Sequence, residues 1–114
     1  MIGGRGKKII IYQHGVFNLI EFGEVKGKKE VGIYIKGHAG FSQNGNDIVC
    51  AAVSAVGQTA AQGCLLKDKE TKIKGWESGS LSFSCRKTVE TNAIVKTAIA
   101  GLMAIKQQYP SCFY

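Results

Sequence analysis

The chain has 114 residues, 45% of them apolar, and a formal net charge of +7. That length supports one domain (residues 1–114) with a single modest core, and the composition excludes a disordered or collagen-like chain. No continuous apolar run is long enough to span a bilayer, and the stretch Ile9 to Tyr12 is too short for a signal-peptide core. The expectation is therefore a cytoplasmic protein with no membrane partner.

The first eight residues are basic and glycine-rich and read as a flexible N-terminus. The β-branched run Ile9 to Tyr12 predicts a strand, and Val16 to Phe22 a second, weaker one. Gly27, Lys28 and Lys29 mark a turn. Val31, Ile33 and Ile35 then alternate with Gly32, Tyr34 and Lys36, the period of a half-buried strand. The strand ends at Gly37-His38-Ala39-Gly40, where two glycines permit backbone angles closed to other residues. Phe41, Ser42, Gln43, Asn44, Gly45 and Asn46 read as a loop, with Asn44-Gly45-Asn46 as turn chemistry. Asp47 stands before an uncharged helix-forming run, Ile48 to Gln62, where its carboxylate can accept from the open amides of the first turn. Gly63 and the lysines beyond it end that helix. Because it is apolar nearly all round, it is buried or covered by a partner.

Lys72 to Trp76 and Leu81 to Arg86 predict an antiparallel hairpin around Glu77-Ser78-Gly79-Ser80, with Leu81, Phe83 and Cys85 on one face. A second helix is predicted from Val89 to Gln108, its apolar stripes formed by Ile94, Ala98, Leu102 and Ile105 and by Val95, Ile99 and Met103. Tyr109-Pro110 stops it. The order strands, helix, hairpin, helix predicts an α+β fold: a mostly antiparallel sheet with two helices packed on one face.

Four cysteines are available: Cys50, Cys64, Cys85 and Cys112. None forms a C-x-x-C pair, so no metal or cofactor is expected, and disulfides are not expected in a reducing compartment. Capped by Asp47, the first helix would place Cys50 in its first turn, where open amides and the macrodipole stabilise a thiolate. Cys64 sits at the opposite end of that helix, and Cys85 lies within a strand. A base is also required. His14 follows a strand with nothing reactive near it in sequence, whereas His38 ends the strand that the loop joins to the Cys50 helix. A cysteine and histidine within hydrogen-bond reach form the minimal activated nucleophile. The loop from His38 to Asp47 is long enough to move and to act as a lid over such a pair. Asp47 suits a cap better than a third catalytic member. Ser54, one turn beyond Cys50, either shapes the pocket or fills core. On residue chemistry alone, a buried Cys50 and a turn-bound His38 stand equally with a catalytic pair.

Lysines cluster at Lys7/Lys8, Lys26/Lys28/Lys29 and Lys67/Lys69/Lys72/Lys74. They read either as a solvated surface or as attraction to nucleic acid. A non-enzymatic RNA- or ribosome-associated binding module is thus the alternative to an enzyme, although no RNP-like, KH or helix-turn-helix pattern accompanies the charge.

The stretch GHAGFSQNGNDIVCAAVSA, Gly37 to Ala55, resembles the signature of the Prp family, the ribosomal-processing cysteine proteases. The histidine, the cysteine, their twelve-residue spacing and the AAVS run all agree, and weaker similarity continues to about Tyr109. The resemblance implies an α+β homodimer with Cys50 as nucleophile and His38 as general base. It implies a mobile loop over the site, matching Phe41 to Asp47. The implied substrate is the N-terminal extension of a bacterial large-subunit ribosomal protein, which places the enzyme near ribosomes.

Overall fold

The computed structural model describes residues 19–37, 44–75 and 80–113, with the backbone alone for 44–47. The predicted strand Ile9 to Tyr12, the leading half of Val16 to Phe22, and Trp76 to Gly79 lie outside the described residues.

The chain runs β1 (Glu21–Lys26), β2 (Glu30–Lys36), α1 (Asn44–Lys67), β3 (Lys72–Lys74), β4 (Ser80–Arg86), α2 (Val89–Gln108) and a short 3-10 turn, Pro110–Cys112. The four strands form one antiparallel sheet in the order β1-β2-β4-β3. The α+β expectation holds: both helices pack on one face of this sheet. The period-two pattern decides which face. Val31, Ile33 and Ile35 stand opposite Cys85, Phe83 and Leu81, and all six are buried. Val49, Val53, Ala60, Ala61 and Cys64 of α1 and Val95, Ala98 and Leu102 of α2 complete the core above them. By length and composition, Ile48–Lys67 would also suit a membrane span. One edge of it is buried against the sheet and α2.

The largest differences from the expected boundaries are three. Of the strand expected at Val16 to Phe22, only Leu19 to Phe22 lies among the described residues, and β1 begins at Glu21 and continues to Lys26. The reason is pairing: Gly27 N donates to Glu30 O (2.8 Å) across the expected turn, and this sets Phe22 opposite Ile35. Helix α1 starts at Asn44, not after Asp47. Asparagine and glycine are favoured at helix starts as well as in turns, and Asn44-Gly45-Asn46 belongs to the helix and not to the loop. Asp47 therefore lies within the first turn and is not its N-cap. Finally, α1 continues through Gly63 to Lys67. A Cβ at Gly63 would make ordinary contact with the Ile94 side chain at 3.4 Å, so this glycine lies inside the helix on its α2-facing side and is not a stop. Helix α2 has the predicted limits, Val89–Gln108.

The chain end folds back on β1. Ile20 N donates to Cys112 O (2.9 Å), Ile20 pairs with Phe113 in a parallel bridge, and the Phe22 and Phe113 rings meet edge to face with centroids 6.0 Å apart. This tail contact is absent from the sequence expectation.

Candidate active site

None of the four cysteines is in a disulfide, and three are buried: Cys64, Cys85 and Cys112. Cys50 alone among them is partly exposed, packing one side against the core. The other thiols are poor nucleophiles on physical grounds. Burial pushes the Cys64 thiol up to about 12, and the neighbouring Cys85 adds to this. Burial also raises Cys112, against a lowering hydrogen bond from Ser111 and with a further raise from Cys50.

Because α1 begins at Asn44, Cys50 is its seventh residue and lies in the second turn. The helix-start field is concentrated in the first turn, so it acts on Cys50 less than a helix capped at Asp47 would imply. The amide of Cys50 is likewise committed to the helical ladder, in which each N–H bonds the carbonyl four residues back. A thiolate at Cys50 would therefore call for a base nearby.

His38 lies outside the described residues, as do Phe41, Ser42 and Gln43 of the expected loop. The strand that leads to His38 is described. Gly37 has φ +90°, a conformation that glycine adopts readily, and any Cβ there would run into the carbonyl of Leu19. A chain of contacts links this point to the thiol. Gly37 abuts Leu19, the next residue Ile20 bonds Cys112, and Cys112 lies within electrostatic reach of Cys50. The end of β2 and the thiol of Cys50 therefore belong to the same end of the molecule.

Ser54 is exposed and is not a core residue. Its hydroxyl accepts from Gln58 Nε2 at 2.8 Å, one turn further along α1. The residue at this end that sequence reasoning missed is Cys112. Only the tail pairing with Ile20 brings it to the site, and no local pattern signals that. Among the described residues, no group of three His, Cys, Asp or Glu side chains is placed to hold a metal ion.

An α+β sheet-and-two-helix domain with one accessible thiol near the end of its central strand is an arrangement that suits a thiol enzyme. Residues 20–114 match the model of the family Cysteine protease Prp, and the chain belongs to that family of cysteine-type peptidases. Solved structures agree. SMU.848 from Streptococcus mutans superposes with a TM-score of 0.67 at 18% identity, covering 84% of this chain and 90% of that one. The ribosomal processing protease Prp from S. aureus, in complex with a substrate peptide, gives a TM-score of 0.62 at 25% identity, covering 84% and 96%. The same S. aureus protease with a covalently linked product peptide gives 0.60 at 20%, covering 85% and 95%. No curated protein matches the sequence.

Proposed function

We propose that this peptidase removes the N-terminal extension of a bacterial large-subunit ribosomal protein, with Cys50 as nucleophile and His38 as general base. The observation that carries the reading is that Cys50 is the one thiol of four that is not buried. The S. aureus relative, solved with a substrate peptide, supports a peptide substrate of the ribosomal-processing class. The enzyme would act in the cytoplasm as a homodimer.

His38 takes the Cys50 proton, and the thiolate sulfur attacks the scissile carbonyl carbon. The tetrahedral intermediate collapses as His38 returns its proton to the leaving amine, which departs as the new N-terminus of the mature protein. A thioester to Cys50 remains. Water, deprotonated by His38, attacks it, releasing the extension as a carboxylate and restoring the thiol.

The test is cleavage of a peptide spanning the extension. Cys50→Ala should abolish product formation while the circular dichroism spectrum stays unchanged, and His38→Ala should reduce turnover by orders of magnitude at neutral pH. Turnover in Cys50→Ala would remove the nucleophile assignment. Normal turnover in His38→Ala would remove the base.

A further inference from the structure

The end of the molecule opposite the site is strongly basic. The β1–β2 turn brings Lys26, Lys28 and Lys29, the α1–β3 turn brings Lys67, Lys69 and Lys72, and the β4–α2 link brings Arg86 and Lys87. These are eight of the 15 lysines and arginines in the chain. The three connections are tied together: Lys87 N donates to Lys29 O (2.9 Å), and Arg86 N donates to Asp68 Oδ2 (2.8 Å). They surround a cleft of about 460 Å³.

All eight cations are exposed. Glu30, Asp68, Glu70 and Glu90 share the pole and leave a net charge of about four. Yet among the described residues the one ion pair is Lys96 to Glu24 (3.1 Å), away from this pole. Among the described residues no carboxylate stands within ion-pair distance of the eight cations, although Asp68 feels the charge of Arg86. Asp68 accepts instead from the backbone of Arg86 and Glu70. The arrangement therefore suits an external polyanion.

Shape and composition select among polyanions. No aromatic side chain stands among the pole's described residues, so base stacking has no platform and the backbone is the available target. A bilayer surface favours an amphipathic helix or aromatic anchors, not a cleft lined by five cations and three carboxylates. A dense line of phosphates gains from counterion release on binding such a cleft.

We propose that this basic pole docks the phosphate backbone of folded RNA. At about 1.5 Å per helical residue, Lys67 lies about 26 Å along α1 from Cys50. RNA held at the pole leaves the Cys50 end open to a peptide. This goes beyond the processing reading and does not depend on it, because the charge arrangement stands whatever peptide is cleaved.

The experiment is fluorescence anisotropy with a labelled RNA hairpin and the full chain between 50 and 200 mM salt. About four net phosphate contacts predict a log–log salt slope near −3, or about 50-fold weaker binding across that range. The variant K28Q/K72Q/K87Q should lower the slope by about 2 and weaken binding at 50 mM by at least about tenfold. The equally charged variant K36Q/K74Q/K106Q should bind RNA nearly as the parent does. K28Q/K72Q/K87Q should cleave a short peptide at the parental rate. Equal loss in the two variants, or full binding retained in the first, overturns the proposal. So does displacement of RNA by polyglutamate at equal charge, which would make an acidic protein the partner. Binding to phosphatidylserine vesicles as tight as to RNA would make a membrane surface the partner, with the same consequence.

Discussion

Cys112 is buried within electrostatic reach of Cys50, and the two thiols share one end of the molecule with opposite accessibility. Burial, and secondarily Cys50, hold Cys112 toward the neutral thiol, against a lowering contribution from Ser111. Only the thiolate alkylates readily. Iodoacetamide at pH 7.5 should therefore give one adduct on the native protein, mapped to Cys50. Cys64, Cys85 and Cys112 should label only after unfolding in urea. An adduct on Cys112 as fast as that on Cys50 would mean that the tail opens away from Ile20.

Thr91 is the one buried polar side chain among the described residues, and it closes the start of α2. Its hydroxyl donates to Arg86 O (2.7 Å) and accepts from Thr88 N (2.9 Å), while Thr91 N donates to Thr88 Oγ1 (3.1 Å). Thr91→Val keeps the shape and orphans the Arg86 carbonyl and the Thr88 amide. It should cost about 1–3 kcal/mol, read as a lower urea midpoint with unchanged slope. Thr88→Ala should cost about 1 kcal/mol.

The same residues explain what the sequence made legible. Helix α2 was readable because its apolar spacing is regular and Tyr109-Pro110 ends it, so local chemistry suffices. The β2 and β4 faces were readable for the same reason, through their period of two. The start of α1 was not, because Asn44-Gly45-Asn46 serves turn and helix start alike. Its end was not either, because the packing of Gly63 beside Ile94 of α2, which carries the helix on to Lys67, joins residues distant in sequence. The tail contact joining Ile20 to Phe113 unites opposite ends of the domain and leaves no local trace. At the site, the helix-start argument singled out Cys50, but the observed helix begins too early to support it. What distinguishes Cys50 is exposure, which depends on how the whole core assembles.

Asp68 links α1, β3 and β4. Its carboxylate accepts from Arg86 N and Glu70 N, and these bonds hold its pKa below the ordinary 3.8. A pKa lowered on folding gives stability that is present above the unfolded value and is lost as pH falls through the folded one. Asp68→Ala should therefore lower the urea midpoint at pH 7. The gap from the parent should stay constant down to about pH 4 and close as pH falls further. A gap that persists undiminished at pH 2 would assign the effect to lost packing and not to the charged carboxylate.

Two glycines should respond to alanine with opposite signs. At Gly32, in the middle of β2, an added Cβ would collide with the Phe83 carbonyl of the neighbouring strand. That obstacle is backbone, so relief requires β2 and β4 to separate where the core is best packed. Gly32→Ala should destabilise by about 1–3 kcal/mol. Gly101 lies within α2, where a Cβ would meet Val56 at an ordinary 3.8 Å. There the methyl group fits without displacement, and the unfolded chain loses conformational freedom. Gly101→Ala should stabilise by about 0.4–1 kcal/mol. Thermal unfolding of the two variants against the parent checks both signs. A stabilised Gly32→Ala would mean that the β2–β4 register is looser than its hydrogen-bond ladder implies.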